Sequence, residues 1–192
     1  MRILLATNNA KKLIELQQLL GDSFELLTLK DVGIDNVPDE TGTTFRENAL
    51  IKAQAAQKHC DLPVISDDSG LCVEALNGEP GVYSAEYGKP LAVTDQDRNE
   101  LLLRNMNLHN NRACYFVCCF CLLLPNQPPQ YFEGYCHGEL LRQPQGENGF
   151  GYDPIFYLPQ FEKTMAELTP NEKNSVSHRG QAAQKLKEYL SC

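Results

Sequence analysis

The chain reads Ser66-Asp67-Asp68-Ser69-Gly70 between two mainly apolar runs, LPVI before it and LCVEAL after it. Adjacent like charges repel and a loop needs only one aspartate to turn, so the doublet implies that something positive completes the place. Two carboxylates where one strand ends and another begins, at the carboxyl edge of an apolar strand, suit a hard divalent cation such as Mg²⁺, with phosphates supplying its remaining oxygens. An Asx-turn into Gly70, with the second aspartate simply solvated, accounts for the same residues. Glu40, in the acidic stretch 31–44, is a further metal-ligand candidate, and taken alone a solvent-facing carboxylate.

Three more groups carry chemistry. Thr7, Asn9 and Lys12 form T-x-N-x-x-K at the first strand–helix junction. Backbone N–H groups at a helix start favour an anion, and a lysine one turn in adds a mobile charge. A capping asparagine and a solvated lysine also explain the pattern, and the G-x-x-x-x-G-K-[ST] phosphate loop is absent. Phe150 lies between Gly149 and Gly151, with Tyr152 and Asp153 next. Flanking glycines let such a ring stand out as a stacking surface, or let it anchor the loop to the core. Lys173, Ser177, His178 and Arg179 gather donors late in an otherwise acidic chain, while His59, His109 and His137 show no partners in the sequence.

These groups need a scaffold. The 192 residues suffice for one substantial core, and 42% hydrophobic with 22% charged residues is the balance of a globular protein. A net charge of −8 speaks against broad binding to nucleic acid or an anionic membrane. No apolar run approaches a membrane span, and the start MRILLATNNAKK, with only five apolar residues before it turns polar, does not read as a secretory signal, so the expectation is a cytoplasmic protein. Four of eight cysteines fall in ACYFVCCFCLLL, residues 113–124. Without paired Cys-x-x-Cys knuckles at a distance this is a buried strand in a reducing compartment, not a zinc site.

Along the chain, strands are expected at Arg2–Ala6, Phe24–Leu29, on both sides of SDDSG, at 113–124 and at 131–140, the last two as a hairpin across PNQPPQ. Helices are expected after a cap at Asn8 or Asn9 with Gly21 as the stop, over Phe45–His59, over Asp95–Asn107 behind Thr94 and Asp97, after Thr169-Pro170, and over Gln181–Leu190. Helices mixed with a hairpin give a mixed α/β sheet.

Taken together, TNNAKK, DETGTTFRENALIKA, SDDSGLCVEALNGEPGVYSAEYG, NGFGYDPIF and SHRGQA, in this order, closely resemble the inosine triphosphate pyrophosphatase family over Thr7–Ala182. The resemblance implies one α/β domain over residues 1–192, an elongated mixed central sheet flanked by helices, with two lobes and an active-site cleft between them. It implies hydrolysis of ITP, dITP and XTP to the nucleoside monophosphate and pyrophosphate with Mg²⁺, on a homodimer. It assigns phosphate to Thr7, Asn8, Asn9, Ala10, Lys11, Lys12 and Lys52, and substrate contact to Ser69. It assigns proton acceptance and metal to Asp68, metal to Glu40, and nucleotide binding to Phe150, Gly151, Tyr152 and Asp153. Base recognition falls to Lys173, His178 and Arg179. A relative acting on modified pyrimidines, or a silent nucleotide-binding module, would be expected to lack SHRG beside NGFGYD, or Asp68 or Lys12.

Overall fold

The computed structural model describes residues 1–34 and 38–191; positions 35–37 of the acidic stretch and Cys192 lie outside the described residues. In chain order the elements are β1 (Arg2–Leu5), α1 (Ala10–Leu20), β2 (Glu25–Leu27), α2 (Phe45–Gln57), β3 (Val64–Val73), α3 (Asp95–Asn105), β4 (Ala113–Leu123), β5 (Gln130–Leu140), β6 (Phe156–Leu158), β7 (Lys163–Thr164), α4 (Pro170–Val176) and α5 (His178–Leu190). The strands join in the order β2-β1-β3-β4-β5-β6-β7. β1 runs parallel to β2 and β3, whereas β6 runs antiparallel to β5 and β7, so the sheet is mixed as expected. No helix among the described residues is long and apolar enough to cross a membrane.

The chain forms two compact units, each built from separate segments: Met1–Ser69 with Cys118–Gly134 and His178–Cys192, and Gly70–Val117 with Tyr135–Ser177. In the first, side chains alternate across the sheet with the period of two that a pleated strand imposes. Ile3, Leu5, Ile65, Phe120 and Leu122 pack on Leu16 and Leu20 of α1 and Ala182, Ala183 and Leu186 of α5. Leu4, Val64, Cys121 and Leu123 pack on Ala49, Ala53 and Ala56 of α2. Alanines on that face of α2 leave its two longer buried side chains, Asn48 and Lys52, one turn apart on the same stripe. Thr44 and Glu47 close a capping box that fixes where α2 starts.

Gly134 on β5 comes so close to α5 that a Cβ there would stand 2.1 Å from the His178 carbonyl oxygen. Only glycine fits, and the contact fixes the start of α5. That start is His178, three residues earlier than expected, so His178 and Arg179 belong to the first turn.

The second unit packs Leu71, Val73, Phe116, Leu140, Phe156 and Leu158 of the strands against Leu102 and Met106 of α3, with Met165 and Leu168. Here the expected capping boxes, Thr94 with Asp97 and Thr169 with Glu172, both form, the latter with Pro170 in the first turn. Cys114, Cys118, Cys119 and Cys121 are buried, unbridged thiols of β4, as a core strand requires. Burial pushes Cys119 and Cys121 up to about 12, which keeps them neutral and unreactive.

A second expectation fails. SDDSG is not a turn between two strands; β3 runs straight through it for ten residues. Polar residues survive inside a buried strand only when each is partnered, and here each is.

Candidate active site

Continuity of β3 settles how two aspartates can be adjacent. Successive side chains of a strand leave on opposite faces, so Asp67 and Asp68 do not share an environment. Asp67 follows Ile65 toward α1 and α5, and Asp68 follows Val64 and Ser66 toward α2. Ser66 Oγ accordingly donates to the Ala49 carbonyl of α2 at 2.5 Å.

On the α1–α5 face, Lys12 Nζ lies 2.7 Å from Asp67 Oδ2, and Arg179 Nη2 lies 3.5 Å from the same oxygen. Ser69, two residues along the same face, donates to Asp67 at 3.3 Å and accepts from Arg179 at 3.0 Å. Arg179 Nη1 meets Glu15 Oε2 of α1 at 2.7 Å. On the α2 face, Asn48 Nδ2 donates to Asp68 Oδ2 at 3.1 Å and Lys52 Nζ to Oδ1 at 3.4 Å. Lys52 also meets Glu40 Oε1 at 2.7 Å, and the Gly42 N–H donates to Asn48 Oδ1 at 2.8 Å, which fixes the amide orientation.

The two faces drive the carboxylates apart in acidity. Both are buried, which favours the neutral acid. For Asp67 the charges of Lys12 and Arg179 outweigh burial and hold it well below the usual carboxylate range. For Asp68 burial wins: with Glu40 adding repulsion against the pull of Lys52, it is pushed up to about 6. Lys52 stays charged although buried, because Asp68, Asp67 and Glu40 outweigh its desolvation. A carboxylate held ionised at neutral pH thus stands beside one poised near neutrality. Two carboxylates pushed apart in this way can take different parts in acid–base chemistry.

Lys52 also tests whether a metal fits. Its one ammonium touches oxygens of both Asp68 and Glu40, so these two carboxylates lie within reach of a single cation. Mg²⁺ accepts one or two protein carboxylates when phosphates complete its shell, so the donors suit it. No cluster of three or more Asp, Glu, His or Cys able to hold a metal occurs among the described residues.

Thr7 to Lys12 surround the start of α1. Asn9 is the cap, accepting the N–H groups of Lys11 and Lys12, and Thr7 Oγ1 accepts that of Asn9. Asn8, Asn9, Ala10 and Lys11 are exposed, leaving a helix start that an anion can approach.

In the second unit, Asp153 Oδ2 accepts the Phe150 N–H at 2.9 Å and the Lys173 ammonium at 2.8 Å. That ammonium stands 4.7 Å from the centre of the half-buried Phe150 ring, a cation–π contact. Tyr152 is an anchor: it is buried, its hydroxyl donates to the Ser84 carbonyl at 2.8 Å, and burial raises its pKa. Gly149 has φ +77°, and a Cβ there would lie 2.1 Å from Asp153 Oδ2. Gly149→Ala should therefore cost about 1–2 kcal/mol from the left-handed backbone alone. Urea unfolding measures this; an unchanged midpoint would mean that the loop relaxes.

The structure thus gathers Lys12, Ser69, Arg179 and Asp67 on one face of the first unit and Glu40, Lys52 and Asp68 on the other. It gathers Phe150, Asp153 and Lys173 in the second unit. Sequence reasoning missed Glu15 and Asn48. Only the i, i+4 spacing of Asn48 and Lys52 pointed to either.

The Ham1 family model matches residues 3–189. A dITP/XTP pyrophosphatase of Exiguobacterium sp. is 46% identical over 191 residues, 99% of this chain and 97% of that one. Another, of Coxiella burnetii, is 43% identical over 100% of this chain and 97% of its own. Among solved structures, a HAM1 protein from Coxiella burnetii matches with a TM-score of 0.92 at 41% identity, covering 100% of this chain and 98% of that one. The Staphylococcus aureus Ham1 protein matches at 0.89 and 39%, with the same coverage. With a family model that spans nearly every residue and relatives alike from end to end, the chain belongs to the Ham1 family.

Proposed function

We propose that this protein hydrolyses non-canonical purine nucleoside triphosphates, ITP, dITP and XTP, to the monophosphate and pyrophosphate. The observation that carries the reading is Asp68, a buried carboxylate poised near neutrality and oriented by Asn48 and Lys52. It is supported by relatives named dITP/XTP pyrophosphatase at 43–46% identity.

In this reading the N-terminus of α1, with Lys11 and Lys12, receives phosphate oxygens, and Lys52 adds charge from α2. Asp68 orients a water molecule and accepts its proton as it attacks the α phosphorus. Mg²⁺ held by Asp68 and Glu40 would neutralise phosphate charge and stabilise that growing on the attacked group. Phe150 offers a stacking face, with Asp153 holding its loop.

Preference for a 6-oxo purine follows if buried donors face that oxygen, since adenine would present a donor to them. Each unpaired donor costs about 1–3 kcal/mol, so two give a hundredfold or greater preference. The resemblance offers Lys173, His178 and Arg179. Both terminal nitrogens of Arg179 already serve Glu15, Ser69 and Asp67, so His178 is the stronger candidate on α5. The reading includes a homodimer in the cytoplasm.

The test offers ITP, XTP, GTP and ATP with Mg²⁺ in ¹⁸O-water. Label in the monophosphate, with ITP and XTP favoured over ATP by at least about a hundredfold, is expected. Excess chelator should abolish turnover. Label in orthophosphate alone, or undiminished hydrolysis under chelator, would sink the reading.

A further inference from the structure

Helix α3 grips the glycine that follows Phe150 at both of its polar backbone groups. Asp95, the first residue of the helix, accepts the Gly151 N–H on Oδ2 at 2.7 Å. Asn99, one turn later on the same stripe, donates Nδ2 to the Gly151 carbonyl at 3.1 Å. Asp95 is itself paired with Arg98, so the carboxylate is held as well as holding. Gly151 has φ +64°, a conformation that a loop leaves readily unless tethered. On the N-terminal side of Gly151, Asp153 accepts the Phe150 N–H and the Lys173 ammonium. Phe150 is therefore fixed from both flanks, by α3 on one and by Asp153 on the other.

Asn99 is an expensive choice if its task were only to fill space. It is 5% exposed, and its Oδ1 is buried without a hydrogen-bond partner among the described residues. An apolar side chain would avoid that desolvation, so a buried amide with one unsatisfied atom calls for a reason. The reason on view is the bond from its other end to Gly151.

We infer that Asp95 and Asn99 are positioning residues for purine recognition: they lock Gly151 and so hold the Phe150 ring in the attitude that receives the base. This rests on the stacking role given to Phe150 above. Neither residue is asked to touch substrate.

The test is a double-mutant cycle of Asn99→Ala and Phe150→Ala, read as KM and kcat for ITP, the Ki of inorganic tripolyphosphate, which has no base, and the thermal midpoint. Asn99→Ala should raise KM about tenfold, leave kcat and the tripolyphosphate Ki within twofold, and add less than about twofold when Phe150 is already alanine. Asp95→Asn, a milder change that keeps an acceptor oxygen, should raise KM in the same direction, and gives the answer if Asn99→Ala does not fold. Equal effects on KM and Ki, or an equal effect in both backgrounds, would overturn the inference and show a merely structural helix. If Phe150→Ala weakens ITP while Asn99→Ala and Asp95→Asn do not, the clamp alone fails. If Phe150→Ala leaves KM unchanged, the stacking reading fails and takes the clamp with it.

Discussion

Asp68→Asn is expected to lower ITP turnover by roughly 10²–10⁴-fold, the usual worth of a positioned general base, while circular dichroism shows the fold retained. The amide keeps the shape of the carboxylate but can neither accept a proton nor supply a full charge to a cation. The same group should set the acid limb of kcat/KM. Burial raises Asp68 from its ordinary 3.8 to about 6, so below about pH 6 it takes up a proton and kcat/KM falls, approaching tenfold per pH unit. Its contribution to stability has the opposite slope to that of a paired carboxylate. Because the folded state prefers the neutral acid, that contribution is fully present below pH 3.8 and is lost as pH rises to about 6. The fold thus gives up stability at neutral pH to keep this carboxylate ionised, as expected of a working group rather than a structural one. Turnover within fivefold of the parent, or a kcat/KM flat from pH 5 to 8, would remove Asp68 from the chemistry.

Helix boundaries were legible wherever a cap announced them. Asn9, Thr94 with Asp97, and Thr169-Pro170 with Glu172 each do in the structure what their residue types permit. The Cys-rich stretch was legible as a core strand because eleven consecutive residues offered nothing else to do with their side chains. SDDSG misled for a physical reason. Asp, Ser and Gly are poor strand formers and good turn formers, and local preference can be overridden only by partners elsewhere in the chain. Those partners are Lys12, Asn48, Lys52 and Arg179, up to 112 residues away, and no local pattern announces them. The same blindness hid Glu15, which meets Arg179 across 164 residues. Arg179 shows the limit most clearly. The resemblance assigned it to the base, and no local pattern announced that Asp67, Ser69 and Glu15 would be its neighbours in the fold.

That position makes Arg179→Met the most damaging change to stability. Arg179 is 3% exposed, and its guanidinium bridges Asp67 and Glu15. An apolar side chain of similar length keeps the packing against α1 but leaves buried Asp67 with only Lys12 and Ser69 of its partners described above and takes the bridge from Glu15. Removing one partner from a buried ion cluster costs about 3–5 kcal/mol, which at about 2–4 °C per kcal/mol in a chain of this size lowers the thermal midpoint by roughly 6–20 °C. Glu15→Gln, which keeps an acceptor but no charge, should lose distinctly less. Asp67 gives the effect its pH dependence. Its folded pKa is depressed by Lys12 and Arg179, so its contribution to stability is present above about 3.8 and is lost as pH falls further. That contribution is constant above about 3.8, so the gap in midpoint between parent and variant should hold from pH 7 to about pH 4 and narrow only on further acidification toward pH 2, as Asp67 takes up its proton. A gap that stays constant all the way down to pH 2 would show that Arg179 stabilises by packing rather than through the charge at Asp67.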